Sequence, residues 1–240
     1  MTDSERPDDF YRRRVSEEIA AGEPELELLA TLLRRGGTAV DVGANQGIYA
    51  YALSGIAASV HAFEAHPDYA AFARSTLGSR ATVHTIALSN AKGRASFFVP
   101  FADDGTELHF AGNLKNTHAQ FANQKVIETE VETLDSFGLT DVTFIKIDVE
   151  GSELEVLEGA QVTIARDRPV LLLELLSGTY ADPLAITRHV CNLYGYDAFV
   201  VHEGRPQPAL ALVASLNSNT TWGSPIATRN VLFLASQPQE

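Results

Sequence analysis

The chain is poor in cysteine, in basic residues and in long apolar runs, and each scarcity removes a class of function. Cys191 stands alone, so no intramolecular disulfide forms and no cysteine metal spacing exists. Against 31 acidic residues there are only 18 basic ones, a formal charge of -13. That balance argues against nucleic acid or an anionic membrane surface as the main partner, although it leaves room for a local basic pocket. No stretch reaches the 18 or so uninterrupted apolar residues of a membrane span, and the first residues (MTDSERPDDFYRRR) carry no apolar signal core. A soluble, cytoplasmic protein is expected.

What remains is ample material for a core. Hydrophobic residues make up 45% of the 240 and charged residues 20%, which suits one α/β domain with embellishments. From Phe10 to about Gly36 the apolar spacing is helical, with Ile19, Leu26, Leu28, Leu29, Leu32 and Leu33, and Pro24 suits a first helical turn. Strand and helix patterns then alternate. Strands are expected at about 38–43, 58–63, 82–87, 142–147, 170–173, 196–201 and 230–235, with helices at 49–54, 67–77, after Ser152, and 183–193. Ala95–Val99 and Val126–Val131 predict an extra hairpin, and the polar stretch of about 100–125 between them reads as a lid. Such repeated units imply a doubly wound, mostly parallel sheet. The division expected is a helical segment over 1–36 and one domain over 37–240.

The chemistry concentrates at the ends of these strands. Thr38–Val42 is apolar apart from Asp41 and runs into the loop Gly43-Ala-Asn-Gln-Gly47; Ser59–Phe63 follows and ends on Glu64. A strand, a glycine loop, a helix and a second strand with a terminal acid make the first half of a nucleotide-type site, the acid being placed for both ribose hydroxyls. A dinucleotide fingerprint would need a glycine where Asn45 stands. Asp41, two residues before the first glycine, would repel a pyrophosphate. Its charge suits a ligand with a cationic centre and no phosphate, such as S-adenosylmethionine.

The segments VDVGANQGIY (40–49), VHAFEAHPDY (60–69), ALSNAKGRASF (87–97), VETLDSF (131–137), FIKIDVEGSELEVLEGA (144–160) and RPVLLLEL (168–175) resemble, in order, the FkbM family of class I S-adenosylmethionine-dependent methyltransferases. The resemblance implies a Rossmann-like, seven-stranded sheet with a reversed last strand, the cofactor crossing the ends of the first four strands. By the same resemblance Asp41, Gly43, Asn45 and Gly47 line the methionine end of the cofactor. Glu64 holds the ribose, Ala65, Ala87 and Leu88 flank the adenine, and Asp148 sits beside the reacting methyl group. His66 departs from the family pattern and carries no assigned role.

Three groups are candidates for taking a proton from an acceptor: Asp148, Glu174 and, in the lid, His118. Glu174 is equally open to binding a divalent cation with Asp148 or to pairing with Lys146, whose ammonium needs a partner if buried. Ser152 and Glu155 predict a capping box. Glu153 is accounted for by the helix dipole, whereas Glu150 is a candidate to face the pocket. His61 and His84 read as structural. The activity expected is O-methylation of a small hydroxylated acceptor, a sugar or glycoside preferred, with a polyketide-type hydroxyl or a nitrogen acceptor as alternatives. A nicotinamide-dependent oxidoreductase and a noncatalytic S-adenosylmethionine-binding protein are the readings from other classes. No nucleic-acid or membrane partner is expected, and self-association into a homo-oligomer is left open.

Overall fold

The structure, a computed structural model, describes residues 5–108, 111–117, 123–175, 182–202, 204–210 and 230–236. The helices are α1 (Pro7–Ala21), α2 (Glu25–Leu32), α3 (Ile48–Leu53), α4 (Pro67–Leu77), α5 (Glu153–Glu158), α6 (Gln161–Asp167) and α7 (Pro183–Tyr194). The strands are β1 (Thr38–Val42), β2 (Ser59–Phe63), β3 (Thr82–His84), β4 (Ala87–Leu88), β5 (Gly93–Pro100), β6 (Gln124–Glu132), β7 (Val142–Ile147), β8 (Val170–Glu174), β9 (Tyr196–His202), β10 (Arg205–Pro208) and β11 (Asn230–Ala235).

Eight strands form the main sheet in the order β10-β9-β11-β8-β7-β1-β2-β3, and β4, β6 and β5 form a separate three-stranded sheet. The main sheet is parallel from β3 to β8, and β11 runs antiparallel to both β8 and β9, the reversed strand expected. β10 is an addition to the seven. Pro206 and Pro208 argue against a strand in the sequence, but at an outer edge the missing N–H groups cost no ladder bonds.

Side-chain alternation builds a core on each face. Val40, Val42, Ile145, Ile147, Leu171 and Leu173 face α5, α6 and α7, while Ala39, Phe144, Leu172 and Leu232 face the layer of α1 to α4. Leu171, Leu172 and Leu173 are all fully buried, as a wholly apolar central strand requires. Asp41, Lys146 and Glu174 fall on the second face near the strand ends, and Asp41 lies directly across from Lys146.

The N-terminal helices complete that second layer. The helical segment expected over Phe10–Gly36, with Pro24 in a first turn, is two helices: Gly22 turns to a left-handed φ of 115° and closes α1. Tyr11, fully buried, donates to the Gln46 carbonyl at 2.8 Å, shares a 2.7 Å hydrogen bond with Thr76 and stacks on Tyr51. The glycine loop is therefore held from behind by α1.

Two further local expectations change. The third strand stops at His84, although two backbone bonds continue beyond it: the Glu64 amide donates to His84 O and the Glu64 carbonyl accepts from Ile86 N. Ala87 and Leu88 then pair with β6 instead. Ser152 precedes α5 but makes no side-chain cap; Glu153 folds back to accept from the Val149 and Gly151 amides. Glu150 and Gly151, at φ 53° and 111°, turn those amides inward, so the neighbouring carboxylate reaches them first. Glu155 pairs with Lys115.

Candidate active site

At the carboxyl ends of β1, β2 and β7 a cleft of about 650 Å³, open to solvent on one side, is lined by Gly43, Asn45, Glu64, Ala65, Ala87, Leu88 and Asp148, among others. The chain brings these residues together through three loops, each with its own local reason. Gly43 adopts φ +78°, and a Cβ there would lie 1.8 Å from the Asp148 carbonyl oxygen, so only glycine lets the loops after β1 and β7 approach. Asn45 takes φ 48°, which asparagine tolerates better than most residues.

Glu64 lies on the wall of the cleft, 7% exposed. Its Oε2 accepts from the Asn45 amide and its Oε1 from the His66 amide, both at 2.7 Å. Each oxygen keeps a lone pair for a ligand hydroxyl. Burial pushes the carboxyl up to about 7, against the pull of those two amides.

Asp41 and Gly47 lie outside the lining. Asp41 is 1% exposed; its Oδ2 accepts from the Ala50 amide at 2.9 Å, and its Oδ1 is buried without a hydrogen-bond partner. Burial pushes it up to about 6. Gly47, at φ +85°, opens α3, and a Cβ there would meet the Leu77 side chain at 2.8 Å.

Lys146 is 4% exposed and its Nζ donates to Asp148 Oδ2 at 2.7 Å, with the Tyr49 ring 4.6 Å away. Pairing with Lys146 was one of the roles open to Glu174; the ammonium hydrogen-bonds to the acid two residues along its own strand direction, on the same face, and Glu174 acts on it through its charge. Burial alone would lower the Lys146 ammonium, but Asp148, Asp41, Glu23 and Glu174 outweigh it and hold the group above its ordinary range. Glu174 is pushed well above the carboxylate range by burial first and then by the charge of Asp148. Its side-chain hydrogen bond with Asp148 raises it further.

Asp148, Glu150 and Glu174 offer oxygens within 4.8 Å of one another, a donor set that fits a hard divalent cation. Such an ion would share Asp148 with the Lys146 ammonium. Glu150 reaches the cleft lining, as do Gly112 and Leu114 from the stretch expected to be a lid, and Phe97 from β5, which the sequence did not suggest. Phe97 carries no local signal of a site, since only tertiary folding brings the hairpin over the strand ends. His61 and His84 hydrogen-bond each other at 3.1 Å. His118 lies outside the described residues. No helix among the described residues is long and apolar enough to cross a membrane.

The geometry agrees with the comparisons. The profile of the Methyltransferase FkbM domain matches residues 41–197. A crystal structure of a methyltransferase FkbM from Methylobacillus flagellatus KT superposes with a TM-score of 0.57 at 19% identity, covering 91% of this chain and 50% of that one. This chain thus spans half the length of that protein, and the likeness shows the fold. A Streptococcus mutans protein solved in complex with SAH gives a TM-score of 0.44 at 12% identity over 88% of this chain and 94% of its own. No curated protein sequence is significantly similar to the chain. The match over most of the sheet and its strand-end loops places the chain in the FkbM methyltransferase family.

Proposed function

We propose that the chain uses S-adenosylmethionine to methylate a hydroxyl of a small polar acceptor, a sugar or glycoside in preference to a polyketide-type hydroxyl. The observation that carries the cofactor reading is the composition of the cleft wall. Among its described residues three are carboxylic acids, Glu64, Asp148 and Glu150, and none is Lys, Arg or His. A pyrophosphate would meet only like charge there, which disfavours a dinucleotide. An adenosyl group with a sulfonium meets hydroxyl acceptors at Glu64, apolar walls at Ala87, Leu88 and Phe97, and negative charge towards Asp148.

The reaction is an in-line displacement. The acceptor oxygen bonds to the methyl carbon as the carbon–sulfur bond breaks, the bonding pair leaving with sulfur, and the hydroxyl proton passes to a nearby base. Asp148 with Glu174 supplies a carboxylate at that position. A divalent cation bound by Asp148, Glu150 and Glu174 would instead acidify the hydroxyl.

Calorimetric titration with S-adenosylhomocysteine and with NAD tests the cofactor; tight binding of NAD alone would overturn it. A screen of hydroxylated and amine acceptors with labelled cofactor, run with and without chelator, tests acceptor and metal. Asp148→Asn is expected to lower turnover far more than cofactor affinity. Near-normal turnover of that variant would remove Asp148 from the mechanism.

A further inference from the structure

The entry into α3 leaves two backbone groups without a partner in the helix itself, and distant side chains serve both. Ala50 is the third residue of α3, so its amide has no acceptor within the helix, and the N-cap Gly47 has no side chain to offer. Asp41, from β1, takes that amide at 2.9 Å. The carbonyl of Gln46, just before the N-cap, lies outside the helix ladder and accepts the Tyr11 hydroxyl, from α1, at 2.8 Å.

The Tyr11 ring is fixed on all sides as it reaches the loop. It is fully buried, stacks on Tyr51 with centroids 4.7 Å apart and planes 11° from parallel, and meets Phe10 edge to face. Its hydroxyl lies 2.7 Å from Thr76 Oγ1 of α4, and a Cβ on Gly47 would stand 3.3 Å from it. Gln46 O can only accept, so Tyr11 donates to it, while the Thr76 hydroxyl is divided between the Tyr11 oxygen and the Phe72 carbonyl at 2.8 Å. Burial pushes the phenol up to about 12, so it keeps the proton it donates.

The residue before Gln46 carries the link to the cleft. Asn45 holds φ 48°, a conformation few residues adopt, and its amide donates to Glu64 Oε2 at 2.7 Å. One hydrogen bond at each end of this short backbone stretch therefore joins α1 to the acid of the cleft wall. Tyr11 itself lies outside the lining, and it precedes the residues 41–197 matched to the family.

We propose that Tyr11 is a positioning residue for cofactor binding: by holding the Gln46 carbonyl it fixes the turn in which the Asn45 amide orients Glu64, so that α1, outside the family's matched segment, sets the affinity of the cleft. The inference rests on the reading of the cleft as an adenosyl site.

Tyr11→Phe deletes the hydroxyl and keeps the stacked ring. S-adenosylhomocysteine binding is measured by calorimetry on the full chain, with thermal melts of the same samples. Loss of one buried hydrogen bond that holds the loop predicts a Kd about fivefold higher. Thr76→Val leaves Tyr11 in place without its second partner; it should raise Kd about threefold, and it carries the test if Tyr11→Phe does not fold. In a Glu64→Gln background either change should cost less than about twofold, because the acceptor whose placement it serves is already impaired. A merely structural role lowers the melting temperature and leaves the Kd of the folded chain where it was. Binding within about twofold of wild type by the folded variants, or a loss that persists in full beside Glu64→Gln, overturns the assignment and leaves the adenosyl reading standing. A wild-type chain that does not bind S-adenosylhomocysteine overturns the adenosyl reading and the role of Tyr11 with it.

Discussion

Replacing Glu64 by glutamine separates the ribose reading from every bland account of a buried acid. The carboxylate already accepts the Asn45 and His66 amides at 2.7 Å, one on each oxygen, which fixes its plane towards the cleft. A ribose diol placed there gains two hydrogen bonds to a charged acceptor, of about 1.5–3 kcal/mol each. Glutamine keeps one oxygen but turns the other position into a donor that faces a backbone N–H and a ligand hydroxyl. A loss of about 3 kcal/mol follows, close to 100-fold in Kd for S-adenosylhomocysteine.

The pH dependence sharpens the test. Burial pushes Glu64 up to about 7 in the unliganded chain. Ligand hydroxyls bind the ionised form, so below about pH 7 binding must expel a proton and affinity falls with pH by up to tenfold per unit. The stability effect has the opposite sense. A folded-state pKa raised above the unfolded value means the proton stabilises the fold; that contribution is full below about 4.5 and is lost as pH rises through about 7. Calorimetry at pH 6, 7 and 8, with melts at the same pH values, measures both. Glu64→Gln should bind about 100-fold more weakly at pH 8, with a flatter pH slope, and lose less stability than wild type between pH 5 and 8. A Kd within about threefold of wild type at pH 8 would refute the ribose assignment, and an unchanged pH slope would refute the titration.

Two more outcomes follow from the same region. Gly43→Ala places a methyl 1.8 Å from the Asp148 carbonyl oxygen at φ +78°; backbone must move, so a loss of more than about 3 kcal/mol and a melting temperature lower by about 10 °C are expected in a thermal scan. An unchanged melt would mean that the loops after β1 and β7 do not touch. Lys146→Met leaves Asp148, Asp41 and Glu174 without their ammonium, so urea unfolding should show about 3–5 kcal/mol less stability, most at pH 8 where the acids ionise. Equal stability at pH 8 would show that the ion pair with Asp148 contributes nothing.

The sheet was legible because its signals are local. Short apolar runs that carry Asp41 or end at Glu64, Asp148 and Glu174 mark β1, β2, β7 and β8 with little ambiguity. Glu64, Asp148 and Glu174 follow from the same pattern, since a strand carries a charge most easily where it leaves the core, whereas Asp41 and Lys146 are buried inside central strands. Contacts between distant segments were not legible. Lys146 chose Asp148 over Glu174 by side-chain reach, which alternation along a strand does not resolve. Gly112 and Leu114 belong to the polar stretch read as a lid, but Phe97 reaches the cleft because β5 and β6 pair off the main sheet, and nothing in its own sequence distinguishes it from hairpin filler. Ser152 shows the limit of motif reading: the capping residues are present, but a left-handed Glu150 hands the free amides to Glu153.

The charge distribution joins these pieces into one physical constraint. With apolar cores on both faces, the acids crowd one edge of the sheet, where Glu23, Glu25, Asp41, Glu64 and Glu174 are all raised by burial and Lys146 opposes that rise at every one but Glu64. Desolvated acids with too little neutralising charge favour either a proton or a cation. A ligand bearing positive charge can take the place of protons at this edge, and its hydroxyls find acceptors already aligned by backbone amides. That is why the affinity for such a ligand should rise with pH while the stability contributed by these raised acids falls, two slopes of opposite sign from the same groups.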